Sequence, residues 1–199
     1  MPRAREHFER DRQPWEQRSA TVFWRGSSLG QKHRAILDMP RARLCQIAKA
    51  APHRMFDVGI VDVFDVSDSD AAELRAADLI KDRVRWQQFN RYRFHIDIDG
   101  HANSFAGLFL KLLSGGLVLK VASPNHYAQW YYDRLKPWGN FVPVRSDLSD
   151  LLEVAAYCRE HDGLAQQIAH NGRQLALSLT HESEFASAIE RVKQAFSRS

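Results

Sequence analysis

Two short segments carry residues whose types and order suit anion chemistry. WRGSS at 24–28 places Arg25 at the end of a β-prone run, beside a turn of small residues, Gly26 and Ser27. DGHANS at 99–104 places Asp99, Gly100, His101, Ala102, Asn103 and Ser104 between a strand-like run and a helix-like one. Unpaired backbone amides ahead of a helix attract anions, and an Arg fork can grip two phosphate oxygens. Each loop has an ordinary reading as well: Asn103 or Ser104 as an N-cap, and Arg25 in a surface ion pair. Asp97 and Asp99 form a D-x-D, which could hold a divalent metal against a diphosphate. The same spacing also suits the polar face of a strand end, which would carry His95, Asp97 and Asp99. Lys120 lies inside the apolar run LVLKV, where it must snorkel out or meet an anion.

Other groups carry less. Asp62, Asp65, Asp68 and Asp70 lack the glycine and final glutamate of a calcium loop and read as a solvated stretch. Trp130, Tyr131, Tyr132 and Trp138 cluster around Pro137, as core and loop packing or as a stacking platform. The nine histidines show no zinc-hydrolase spacing, and no G-x-S-x-G or catalytic-cysteine context exists, so hydrolase readings find no support.

The elements that must position these groups alternate. Strands are expected at 21–25, 55–60, 94–99, 117–121 and from 140, and helices over 31–50, 71–82, 105–114 and, initiated by a proline, 123–135. Ser146 or Asp147 is expected to cap a helix, and from there three amphipathic stretches, 148–161, 163–178 and 184–196, are helical. Strands alternating with helices predict an α/β, Rossmann-like domain with a mainly parallel sheet covered on both faces, over 21–199. Residues 1–20 read as a loosely held lead-in.

Composition sets the outer limits. The chain has 199 residues, 28 Lys and Arg against 24 Asp and Glu, and 44% hydrophobic residues, which describes an ordinary globular protein. Cys45 and Cys158 are too few for a disulfide framework, which suits a reducing cytoplasm. No stretch approaches the roughly 18 apolar residues of a membrane helix, and the charged N-terminus lacks a signal-like centre. A soluble, cytoplasmic protein is expected, with at most peripheral contact at the inner face of a membrane. Basic and acidic residues are interspersed without a dense basic stripe, so no nucleic-acid partner is expected.

The run RYRFHIDIDGHANSFAGLFLKLLSGGLVLKV, followed by WYYDRLKPWGNFVPVRSDLSDL, resembles glycosyltransferase family 90. The D-G-x-x-x-S turn, the leucine-rich helix ending in S-G, the V-L-K strand, the L-K-P-W turn and V-P-V-x-S-D-L-S-D-L stand in family order, with WRGS and FDVG upstream. The likeness runs from about Thr21 to about Gly172. It implies a GT-B architecture, of which this chain resembles the C-terminal, donor-binding half. The family's donor is a UDP-sugar, the expected outcome is inversion at the anomeric carbon, and no metal is required. Carried over by motif, Arg25, Ser27, Gly100 and Ser104 contact the donor diphosphate. The animal members place an Arg two residues after the turn serine, where this chain has Ala106, so Lys120 or another cation would compensate.

The expected function is transfer of a sugar from a UDP-sugar to a polysaccharide or lipopolysaccharide acceptor. The catalytic base would belong to an N-terminal domain that 199 residues are too few to include, and none is assigned here. The alternatives are an inert nucleotide-sugar-binding remnant and a subunit that needs a separate N-terminal acceptor domain.

Overall fold

The computed structural model describes residues 2–28 and 35–196. Helix α1 (Pro2–Arg10) is followed by strand β1 (Ser19–Ser27), helix α2 (Pro40–Ala50) and strand β2 (Phe56–Asp62). Helix α3 (Asp68–Ala76), strand β3 (Tyr92–Asp97), helix α4 (Gly107–Leu113), strand β4 (Leu117–Val121) and strand β5 (Val142–Val144) come next. Helices α5 (Leu151–Glu160), α6 (Asp162–Ser178) and α7 (His181–Phe196) complete the chain. The strands form one sheet in the order β2-β1-β3-β4-β5, every pairing parallel. This is the expected Rossmann-like α/β arrangement.

The order fixes where a ligand can bind. The chain leaves β1 toward β2 on one side and returns to β3 on the other, so the connections after β1 and β3 diverge at their carboxyl ends. A crevice at such a switch point is the ordinary ligand position of an open α/β sheet. Apolar side chains cover both faces, as a parallel sheet demands. Val22, Trp24, Ile60, Phe94, Ile96 and Leu119 pack against α2, α3, α5 and the first half of α6. On the opposite face Val118 meets Leu108, Leu112 and Leu113 of α4, Phe8 of α1 and Ala176 near the end of α6.

Several boundaries differ from the sequence pattern for identifiable reasons. The helix expected over 31–50 begins only at Pro40, which occupies the first helical turn; Met39 ahead of it is extended, as the residue before a proline prefers. A 3-10 turn covers Ile36–Asp38, and residues 29–34 of that expectation lie outside the described residues. Helix α3 starts earlier than expected because Ser67 and Asp70 form a reciprocal capping box, and it stops at Ala76, just ahead of Asp78 in a left-handed conformation. That accounts for three members of the acidic group: Asp70 caps and Asp68 opens the helix, while Asp62 pairs with Arg83.

The proline-initiated helix over 123–135 is not formed. His126 takes a positive φ of 55°, Gln129 is drawn to Asn103 and Phe105, and Tyr131 is buried in the second core, leaving a 3-10 turn at Tyr132–Arg134. The helix expected to follow Ser146 or Asp147 starts at Leu151, because Asp147 accepts from the Ser149 amide and Asp150 from the Arg145 amide. The lead-in is held firmly. Arg5 donates to the carbonyls of Ala176, Leu177 and Leu179 at the end of α6, while Phe8 and Trp15 are buried. Burial of those two rings and capping of three carbonyls offset the chain entropy that composition alone predicts will win.

Candidate functional site

At the carboxyl ends of β1 and β3 the two sequence loops come together, and Arg41 in the first turn of α2 joins them. Its Nη1 donates to the Ser27 hydroxyl at 2.9 Å and the Ser27 carbonyl at 3.2 Å. Its Nε donates to the Asp99 carbonyl at 3.1 Å and its Nη2 to the Ile98 carbonyl at 3.3 Å. One planar guanidinium thus holds two loops more than 70 residues apart, which a single ammonium could not do. The two glycines follow from this clamp. A Cβ at Gly100 would lie 2.8 Å from Arg41 Nη2, and one at Gly26 would lie 2.4 Å from the Trp24 indole, over which the guanidinium sits. Burial pulls the Arg41 guanidinium below its ordinary range, and the charges of Asp97 and Asp99 oppose that pull.

Behind the clamp lies a buried ionic network. Asp97 is fully buried and accepts from Lys111 Nζ at 2.7 Å, Lys120 Nζ at 3.4 Å and the Ser104 hydroxyl. Burial alone would push this carboxyl up, but the two ammonium groups and the hydrogen bonds outweigh it and hold the carboxyl below its usual range. Lys120 also lies over the Tyr132 ring at 4.7 Å. Its apolar strand therefore delivers it to an internal acid and an aromatic face. His95, one pleat back, is buried, and that burial together with Lys111 and Arg18 pushes its pKa down to about 3, so it is a neutral imidazole.

Free hydrogen-bonding capacity is concentrated in the second loop. The amides of His101, Ala102, Asn103 and Ser104 donate to no protein acceptor among the described residues, whereas Gly100 and Phe105 on either side do donate. Both carboxylate oxygens of Asp99 are buried without a hydrogen-bond partner among the described residues. A void of about 30 Å³ beneath Asp99 and Gly100 shares Pro40, Pro124 and Ser146 with a recess of about 190 Å³. The site thus offers four neighbouring N–H donors, one acid seeking donors, and a cationic clamp. This is a cradle suited to a phosphorylated ligand bearing hydroxyls.

The other expected residues distribute differently. Arg25 is turned toward β2, where it pairs with Asp57 at 2.7 Å and donates to the carbonyls of Trp24, Asp57 and Asp82; its ordinary reading as an ion pair describes what is seen. Asp57 is also held by Lys81 at 3.1 Å, and although burial would raise its carboxyl, the two cations hold it low. The D-x-D splits: Asp97 spends its oxygens on two lysines and a serine, while those of Asp99 have no partner. The aromatic cluster also divides. Tyr131 makes edge contacts with both Trp130 and Tyr132, whereas Trp138 packs against Tyr157 of α5. The sequence pattern does not single out Arg41 or Lys111. A lysine in the middle of FAGLFLKLLS had the same signal as Lys120, a charge in apolar surroundings that needs a partner.

The family model for glycosyl transferase family 90 matches residues 3–183, and the chain belongs to that family. Protein O-glucosyltransferase 3 of Homo sapiens is 30% identical over 165 residues, covering 83% of this chain and 29% of that protein. Protein O-glucosyltransferase 2 of Danio rerio is 28% identical over 81% of this chain and 29% of its own length. The chain thus spans less than a third of these two relatives. Among solved structures, Anabaena HepE in complex with UDP and glucose superposes with a TM-score of 0.59 at 14% identity, over 95% of this chain and 52% of that one. TarM superposes with a TM-score of 0.63 at 12% identity, over 87% and 35%. At these identities the superpositions establish the fold alone, the Rossmann-like arrangement of parallel sheet and flanking helices.

Proposed function

We propose that this chain is the donor-binding, C-terminal half of a GT-B glycosyltransferase and that it binds a UDP-sugar at the β1/β3 switch point. The observation that carries the reading is the run of four amides, 101–104, held open beside β1 by the Arg41 clamp. The diphosphate accepts hydrogen bonds from these amides, and the same donors stabilise the charge that grows on it as the glycosidic bond breaks. Asp99 accepts hydroxyls of the ribose or sugar, because a buried carboxylate without donors is costly until a ligand supplies them.

Arg41 replaces Arg25 as the nearest guanidinium to the diphosphate and fixes the two loops. Asp97 orders Ser104, and Lys111 and Lys120 keep it ionised; they add positive field without direct contact. A metal between Asp97 and Asp99 is not required for this mode, since the lysine ammonium groups already occupy the position of a cation against Asp97.

Two curated relatives are named protein O-glucosyltransferases, which favours glucose as the sugar and a protein hydroxyl as the acceptor over lipopolysaccharide. The acceptor and the base that activates it belong to a second half. The partial coverage of the relatives favours that division, as does the row of exposed Phe185, Ile189 and Val192 along α7. Calorimetry with UDP in the presence of EDTA tests the reading. Saturable binding is expected, weakened at least about tenfold in Arg41→Ala by loss of charged hydrogen bonds. An Arg41→Ala chain that folds and binds UDP as well as the parent would remove the clamp from the donor site.

A further inference from the structure

A second cavity lies at the opposite, amino-terminal end of the sheet, where the lead-in meets the turn after α4. It measures about 400 Å³ and is lined by Arg12, Trp15, Arg18, Gly115, His170 and Arg173, among others. Arg18 and Arg173 are 5% and 6% exposed, yet both belong to the lining. They face one another across Gly115: a Cβ built there would lie 3.0 Å from Arg173 Cδ and 3.6 Å from Arg18 Nη2. Arg18 donates from Nε to the Gln13 carbonyl and from Nη1 to the Ser114 carbonyl, and it has no carboxylate partner among the described residues. Arg173 pairs with Glu9, which is half-exposed, and Arg12 is exposed and makes no ion pair or hydrogen bond among the described residues. Glu16 is the acid of the lining and takes the Gln166 amide at 3.4 Å.

Like charges gathered in a partly buried cavity repel, and an isolated buried guanidinium is costly. Both effects are visible at Arg18, whose pKa is drawn down to about 10 by burial and by the charges of Arg12 and Arg173; it remains a cation at neutral pH. The part these arginines play in holding the lead-in is met by the two carbonyl bonds of Arg18 and the Glu9 pair. It would not need a third arginine, nor an Nη2 left facing the cavity.

We infer that this cavity is a binding site for a small phosphate-bearing ligand, separate from the donor cradle, with Arg18 and Arg173 gripping the phosphate and Arg12 closing over it. Guanidinium forks match phosphate oxygens in geometry and charge, and the volume falls within the roughly 300–1,000 Å³ of small-molecule sites. Because Arg18 and Ser114 join the lead-in to the turn between α4 and β4, occupancy here stiffens the carboxyl-terminal end of the helix that carries Lys111.

Inorganic phosphate is the probe, titrated into the isotopically labelled chain and followed residue by residue through amide shifts. Saturable shifts at Arg18 and Gly115 are expected, weakening as ionic strength rises. Arg12→Ala, which breaks no bond in the fold, should keep the melting temperature and weaken phosphate about fivefold, while Arg18→Gln should abolish the shifts. Should Arg18→Gln fail to fold, Arg12→Ala decides alone. Absence of saturable shifts at Arg18 and Gly115, or an Arg12→Ala chain that titrates like the parent, overturns the assignment.

Discussion

The two ends of the sheet gather cations in opposite ways. At the carboxyl end Arg41, Lys111 and Lys120 are spent on protein: four acceptors in the loops for the first, Asp97 for the other two. What remains free there is backbone, the amides of 101–104, together with the Asp99 carboxylate. At the amino end the backbone is satisfied through Arg18, and what remains free is guanidinium, on Arg18 and Arg12. One end prepares anion binding by fixing loops with paired charges; the other does so by leaving charges unpaired. The first should be hard to mutate without structural loss, whereas at the second Arg12 should be easy.

The largest effect is expected at Asp97. Asp97→Ala leaves two buried lysines without a counter-ion and should cost about 3–5 kcal/mol of stability, seen as an early denaturation midpoint. A change below about 1 kcal/mol would show that the lysines find water instead, and would erase the contrast between the two ends.

Next comes the clamp. Arg41→Lys keeps the charge but loses the fork, so UDP affinity should fall nearly as far as in Arg41→Ala. Recovery of affinity in Arg41→Lys would mean that charge alone matters at this end too.

The pH dependence has a definite sign. His95 is held near 3 in the fold against about 6.5 unfolded, so the unfolded chain takes up the proton first. Its contribution is complete above about 6.5 and is lost as pH falls toward 3, at up to about 1.4 kcal/mol per pH unit. Denaturation between pH 7 and 5 should show this slope, and His95→Gln should flatten it; a slope unchanged in the variant would place the proton uptake elsewhere.

Arg25→Ala is the mildest at the donor end. It removes the pair with Asp57 and three carbonyl hydrogen bonds, so it costs stability, but it should leave UDP affinity within about twofold. A tenfold loss would return Arg25 to the diphosphate.

Much of this contrast was hidden in the sequence. The alternation of strands and helices is written in hydrophobic period, and the two loops stand out because Gly26 and Gly100 sit where strands end. The family motifs then tie them together. Arg41 is silent because a helix-period pattern makes an arginine in a first turn look like a solvated face; only the approach of the 98–100 backbone makes it a clamp. The 123–135 segment reads as helix because its local propensities are adequate, but Gln129 and Tyr131 are claimed by the loop and the core, and tertiary contacts override propensity. The arginine cavity joins Arg12 and Arg18 to Arg173, more than 150 positions away, and no local pattern reports such a meeting.

The most direct measurement is an amide-resolved titration of the labelled chain with UDP in EDTA, with uridine as the comparison. The account predicts that the largest shifts fall on His101, Ala102, Asn103 and Ser104, that they require the diphosphate, and that they persist without divalent metal. Shifts absent from 101–104, or matched in full by uridine, would contradict the claim that this backbone run receives the donor diphosphate.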